Sequence, residues 1–336
     1  MPAKALLYCA GGGIGDSLMA SVVARALHAK YDRVDALTLA GHAETLRRVP
    51  DVDAVLVDEG GADIELAGLL KPLGYDAAIV TWATPRAARV PQIAGIPVRV
   101  GQSRRLYSRR FTHRVDVRSE NGDLTTHWSQ ILLDYARAIG CDTDDAVPRF
   151  VPTEADRNEA AALIQECAAQ QFVVLHPASA VATQRNMWPT GGWTRLAAAL
   201  RDAYGLPVLV SGSVADTALV NEIARGSGAR GIAGRLSIGA FGALTARCTV
   251  FAGITTGTMH VAAASGAPTV GIFPFQTDTP ERWAPLGERT TVVRATYPCR
   301  PGERKETCPD YACIEALDVP RIVAAARALS EAAPAL

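Results

Sequence analysis

The chain has 336 residues, 49% of them hydrophobic and 20% charged, which excludes a disordered polymer and leaves room for two domains of about 150 residues each. Lys+Arg and Asp+Glu both number 34, so there is no global attraction to nucleic acid or to a membrane surface, and any such affinity must come from a local patch. The N-terminal apolar run is too short for a signal peptide, no stretch approaches ~18 apolar residues, and seven scattered cysteines do not read as a disulfide framework; these features lead us to expect a cytoplasmic globular protein. Short apolar runs alternate with segments of helical period, the pattern of βαβ units around parallel sheets. In the first half, Lys4–Cys9 predicts a buried strand, Gly11–Gly15 a turn and Asp16–Lys30 a helix. Ala36–Leu39, Ala54–Val57 and Ala77–Thr81 predict further strands, and His127–Gly140 an amphipathic helix stopped by its glycine. The polar, proline-marked stretch Asp142–Asp156 is the best linker candidate.

Beyond it the alternation restarts. Phe172–His176, Pro207–Ser211, Val250–Ile254 and Thr269–Phe273 predict strands. Trp193–Tyr204, Ala215–Arg225, Ile238–Thr245 and Gly257–Ser265 predict helices between them. Two α/β halves joined near residue 150 are expected to leave a cleft where the ends of strands from both halves face each other.

Four segments carry chemistry. Gly11-Gly12-Gly13-Ile14-Gly15-Asp16 is a glycine turn entering a helix, where backbone can approach a ligand closely. The dinucleotide fingerprint G-x-G-x-x-G fails at its last position in both frames, and a carboxylate at Asp16 would repel a bound pyrophosphate. Asp16 therefore reads either as a helix cap or as a general base kept ionised by the helix dipole. Thr255-Thr256-Gly257-Thr258-Met259-His260 has the same strand–helix geometry with hydroxyls and no acid, which suits a diphosphate; the plain alternative is a Thr-capped helix with a half-buried His. His176-Pro177-Ala178-Ser179 followed by Gln184–Pro189, with Arg185 and Asn186, places small polar groups and a cation at a strand end. Gly212-Ser213 with Asp216 reads equally as a nucleoside contact or as an N-cap.

Taken together, Gly12–Arg25, His176–Pro189, Thr256–His260 and Phe273–Gly287 (FPFQTDTPERWAPLG) resemble the family 9 glycosyltransferases, the ADP-heptose:lipopolysaccharide heptosyltransferases. The resemblance implies a GT-B fold of two Rossmann-like domains facing across a cleft: an acceptor-binding domain over residues 1–150 and a nucleotide-sugar-binding domain over 151–336, whose last helix has room to pack back on the first. It also implies inversion at the anomeric carbon with no bound metal or other cofactor. The family's conserved acidic residue, taken as the catalytic base, falls on Asp16, with Gly13 beside it on the acceptor side. Its phosphate-contacting glycine and histidine fall on Gly257 and His260, and its nucleoside-reading acid on Asp216. His176, Ser179, Arg185, Asn186, Gly212, Thr255, Thr256 and Thr258 complete the expected donor site. The implied partners are a nucleotide sugar and an anionic glycan or glycolipid acceptor, with peripheral contact at the inner membrane and no nucleic acid.

Two positions depart from the family: Asn186 stands where members usually carry Lys, and Thr255 where they carry Asp. Arg99–Arg118 holds seven arginines and one acid, Asp116, and reads either as a solvated loop or as an anion site for the acceptor at Arg104, Arg105, Arg109 and Arg110. Cys299, Cys308 and Cys313 are weak candidates for zinc or iron, because structural sites usually have four ligands and no C-x-x-C spacing is present. Two rival functions stay open. An NAD-linked oxidoreductase is opposed by Asp16, and a non-catalytic sugar-binding module would have no need of that carboxylate.

Overall fold

A computed structural model describes residues 2–177, 188–299, 308 and 310–331. The chain divides into two compact units, Met1–Val151 and Pro152–Leu336. The first contains β1 (Lys4–Cys9), α1 (Ile14–Leu27), β2 (Arg33–Leu39), α2 (Ala40–Leu46), β3 (Ala54–Asp58), α3 (Asp63–Leu70), β4 (Ala77–Thr81), α4 (Pro85–Ile93), β5 (Val98–Gln102), β6 (His113–Val115) and α5 (Trp128–Arg137). The second contains α6 (Glu154–Glu166), β7 (Val173–His176), α7 (Thr190–Tyr204), β8 (Val208–Val210), α8 (Thr217–Ser227), β9 (Arg230–Gly231), α9 (Ile238–Thr245), β10 (Val250–Ile254), α10 (Gly257–Ala264), β11 (Thr269–Phe273), α11 (Pro280–Trp283), β12 (Thr290–Arg294), α12 (Ala312–Glu315) and α13 (Val319–Glu331).

Each unit is built on a six-stranded parallel sheet, ordered β3-β2-β1-β4-β5-β6 in the first and β12-β11-β10-β7-β8-β9 in the second. The central strands are continuous apolar runs because helices cover both faces; β1, β4, β10 and β11 are buried almost throughout. These are two Rossmann-like lobes, the GT-B class. In the second core Trp193, Leu196 and Leu200 of α7 pack with Val208, Val250, Val270 and Val293. Ile322 and Ala326 of α13 are buried in that same core, where the helix packs on α7 and on β10–β12. Each fully buried aliphatic side chain contributes roughly 1.5–3 kcal/mol, which makes these sheets rigid platforms for the turns at their ends.

In such a sheet the crevice lies at the carboxyl ends of the strands, where successive connections turn in opposite directions. The first sheet reverses between β1 and β4, the second between β7 and β10. The glycine turn Gly11–Asp16 follows β1, and Thr255–His260 follows β10. Among the described residues no helix is long and apolar enough to cross a membrane.

Candidate active site

At the first reversal, Cys9 of β1 pairs with Thr81 of β4 and the Ala10 amide donates to the Thr81 carbonyl at 3.3 Å. The chain then turns through Gly11–Gly13 and enters α1, whose third residue is Asp16. The Gly13 amide donates to Asp16 Oδ2 at 2.7 Å, so the carboxylate satisfies an otherwise orphaned donor of the helix terminus. Gly12 has φ +78°, and a Cβ there would lie 2.7 Å from Asp16 Cβ and Oδ2. A side chain at Gly12 is therefore excluded twice, by conformation and by space. Both sequence readings of Asp16 meet here, since the cap geometry is present at the crevice. Burial pushes the Asp16 carboxyl above the ordinary carboxylate range, outweighing the hydrogen bond from Gly13 that lowers it. The helix terminus thus does not hold the group especially acidic; desolvation makes it the stronger proton acceptor.

Sequence reasoning missed His42, on α2 beyond the neighbouring strand. Its Nδ1 is 3.1 Å from Ser17 Oγ, burial lowers its pKa, and its charge couples to Asp16. Only the parallel register of β1 and β2 brings them together.

The arginine-rich segment is more ordered than a solvated loop, since β5, a short 3₁₀ turn at Leu106–Arg110 and β6 run through it. Several of its cations serve the fold. Arg99 donates to the Arg110 and Ile96 carbonyls, Arg118 forks onto Asp134 at 2.7 and 3.0 Å, and Arg104 donates to the Glu120 carbonyl. A cavity of about 550 Å³ is lined by Pro85, Arg89, Arg105, Leu106, Tyr107, Arg109 and Arg110. Of the four expected acceptor arginines, Arg105, Arg109 and Arg110 line it and Arg104 does not; Arg89 of α4 joins them unforeseen. Arg89 pairs with Asp63 at 2.6 Å and Arg105 with Glu120 at 2.6 Å. Arg110 has only the neutral Gln92, at 2.5 Å, and Arg109 has no hydrogen-bond or ion-pair partner among the described residues. Two positive charges there lack a partner acid.

At the second reversal, β7 ends at His176, which pairs with Gly253 of β10. His176 is buried, with Nδ1 2.9 Å from Ser211 Oγ, and Ser211 in turn lies 3.2 Å from the Leu175 carbonyl. The serine has one proton, so the consistent network has His176 Nδ1–H donating to Ser211 and Ser211 donating to Leu175. Burial pushes the His176 pKa down to about 4, so the imidazole is neutral near pH 7. Beyond β10, Thr256 is the N-cap of α10; its hydroxyl lies 2.8 Å from that of Thr258 and 3.2 Å from the Ile254 carbonyl. Thr255 through Thr258 are partly exposed, and His260 is buried one turn in. The first amides of α10 and these hydroxyls form a donor-rich terminus suited to an anion.

Asp216 precedes α8. Its Oδ2 accepts from the Ser213 amide at 2.8 Å and the Ser213 hydroxyl at 2.6 Å, the N-cap arrangement. A Cβ on Gly212 would lie 2.8 Å from Asp216 Cβ, so this turn also requires its glycine. Ser179, Arg185 and Asn186 lie outside the described residues. Cys308 and Cys313 are free thiols, Cys313 buried in the second core, and no group of three or more His, Cys, Asp or Glu able to hold a metal occurs among the described residues.

The chain is similar to known proteins over most of its length. The chain is 25% identical over 303 residues to lipopolysaccharide heptosyltransferase 2 of Escherichia coli K12, covering 84% of this chain and 85% of that one. It superposes with a TM-score of 0.86 on the crystal structure of the glycosyl transferase family 9 from Veillonella parvula, at 16% identity over 98% of both chains. With the structure of E. coli ADP-heptose LPS heptosyltransferase II the TM-score is 0.80 at 22% identity, again over 98% of both. The model of glycosyltransferase family 9 (heptosyltransferase) matches residues 65–312, about three quarters of the chain. The protein belongs to that family, and is a glycosyltransferase using a nucleotide-sugar donor.

Proposed function

We propose that the chain transfers heptose from ADP-heptose to an anionic glycan acceptor such as lipopolysaccharide inner core, inverting the anomeric carbon without a metal. The observation that carries this reading is the chemical asymmetry of the two turns. One presents a carboxylate made more basic by burial, and the other presents helix amides and hydroxyls with no acid. Asp16 takes the proton of the acceptor hydroxyl as its oxygen attacks the anomeric carbon and the bond to the diphosphate breaks. The terminus at Gly257–His260 stabilises the charge that develops on the departing nucleoside diphosphate. Gly212 and Asp216 read the nucleoside, and His176 supplies a neutral edge to the donor. Gly13 and the arginine cavity hold the acceptor, where guanidinium forks match phosphoryl or carboxyl groups of core sugars. A lipid-linked acceptor would bring the enzyme to the cytoplasmic face of the inner membrane as a peripheral protein.

A thermal-shift panel of nucleoside diphosphates tests the donor side, because a ligand that binds the folded state stabilises it by mass action. ADP should raise the melting temperature most, and ADP-heptose with inner-core oligosaccharide should then release ADP. A larger shift from another base, or release of ADP at the same rate without acceptor, would overturn this reading.

A further inference from the structure

The first crevice has a second wall that the proposed reaction does not yet use. Trp82 is the residue immediately after β4, as the glycine turn is the segment immediately after β1, so the two flank the reversal point side by side. The contact is close: a Cβ placed on Gly11 would lie 3.5 Å from Trp82 Cβ and 3.7 Å from its carbonyl oxygen. Gly12, one residue on, is pressed against Asp16. Trp82 and Asp16 thus lie against neighbouring residues of one short glycine turn, Gly11 and Gly12.

Two properties of Trp82 are unusual for a large aromatic residue. Its backbone is left-handed, with φ +52°, a conformation that glycine adopts freely and a bulky side chain does not. The residue is 39% exposed although the strand before it is fully buried. Held strain at a strand end directs attention to function, because a chain free to relax would place glycine or asparagine there. The ring is also supported. Trp128, at the start of α5, lies 5.4 Å away between centroids and tilted by 44°, and α5 itself packs on α1 and β4. Trp82 thus belongs to an aromatic pair backed by the fold and left partly open to solvent. The same loop continues into Ala83, whose carbonyl accepts from the Tyr107 hydroxyl at 2.5 Å, and Pro85; Tyr107 and Pro85 line the arginine cavity.

We infer that Trp82 is the stacking platform for a pyranose ring of the acceptor, a specificity-determining residue beside the base. The apolar C–H face of a sugar fits the electron-rich face of an indole, while its hydroxyls stay free for the turn and its anionic substituent for Arg109 and Arg110. This inference rests on the reading that the first unit holds the acceptor.

The test is equilibrium binding of delipidated inner-core oligosaccharide by calorimetry without donor, with ADP titrated into the same samples. Trp82→Gly removes the ring and suits the left-handed backbone; Trp82→Phe keeps a stacking face. Trp82→Gly should weaken oligosaccharide binding at least tenfold, Trp82→Phe less than about threefold, and neither should change ADP affinity. The melting temperature of Trp82→Gly should stay within a few degrees of the wild type, since relief of strain offsets the lost ring contact. Wild-type affinity in Trp82→Gly, or equal loss in both variants, would overturn the platform while leaving the acceptor reading intact. If the wild type binds ADP but no oligosaccharide, the acceptor reading falls and the platform with it.

Discussion

The turn after β1 and the turn after β10 each flank the reversal point of a sheet of the same strand order, one on its first strand and the other on its fourth, and they carry opposite chemistry. Both leave a parallel strand and enter a helix at the point where the sheet reverses, so both offer helix amides to a ligand. In the first, Asp16 already occupies the Gly13 amide, which closes that terminus to a phosphate and leaves a desolvated carboxylate in its place. In the second, Thr256 and Thr258 bond to each other and to backbone, and no acid competes for the amides. On the proposed reading, one kind of strand–helix turn serves as proton acceptor or as anion cradle according to a single acidic side chain. Function on this scaffold lives in the turns and not in the sheets.

The largest way to break the comparison is Asp16→Asn, which keeps the shape and a cap while removing the proton acceptor. Transfer should fall by ~10²–10⁴, the range for a positioned base, with ADP affinity unchanged by calorimetry. The same substitution should leave stability at neutral pH equal or higher. Asp16 has a folded-state pKa above its unfolded value, so its ionised form is disfavoured by folding, and its contribution is fully present only at acid pH and lost as pH rises through the folded pKa. Thermal melts of both proteins from pH 4 to 8 check the sign: the gap should open in favour of the Asn variant as pH rises.

Matched glycine substitutions sharpen the contrast. Gly12→Ala puts a methyl against the Asp16 carboxylate at a positive φ, and should cost roughly 10²-fold in kcat through displacement of the base. Gly212→Ala crowds Asp216 at the same kind of turn but should raise the donor KM several-fold and spare kcat. Steady-state kinetics on the two variants distinguish these patterns. A smaller effect is expected from Arg109 and Arg110, the cavity cations without a partner acid. Replacing both by Ala should raise the acceptor KM up to tenfold and leave the donor KM alone, with the difference shrinking at high salt as screening grows. Arg105, already paired with Glu120, should matter less.

How much of this was legible in the sequence follows the same division. Strands buried on both faces announce themselves as apolar runs, and Lys4–Cys9, Ala77–Thr81, Val250–Ile254 and Thr269–Phe273 form with the bounds expected of them. Edge strands do not: β6 is the three residues His113–Val115, two of them exposed, and its arginine reads as surface charge. The linker expected over 142–156 runs into α6, because Thr153 and Asp156 form a capping box whose T-x-x-D spacing was visible but lay inside a proline-rich stretch. Asp16, Gly212, Asp216 and the Thr-Gly-Thr turn could be found because strand–turn–helix units are local in sequence. His42, Trp82 and Arg89 could not, since parallel pairing alone brings β2, β4 and their following loops beside β1.

The smallest predicted effect concerns the donor sugar. Thr255 and Asn186 together remove one anion and one cation where the family usually has both, which leaves the charge balanced but trades charged hydrogen bonds of about 1.5–3 kcal/mol for neutral ones nearer ~1. ADP should bind as it does in relatives, and Thr255→Asp with Asn186→Lys should strengthen ADP-heptose over ADP by a few-fold. No gain in that ratio would remove these positions from the sugar pocket.

The central claim, that the acid-bearing turn does the proton chemistry and the acid-free turn does not, is tested most directly by the pH dependence of kcat/KM in the wild type and in Asp16→Asn. The wild-type rate should fall toward acid pH with a midpoint above the ordinary carboxylate range, because burial raises the Asp16 pKa, and the residual rate of the variant should lack that limb. An acid limb of the same midpoint in both proteins would contradict the account and leave Asp16 as a helix cap.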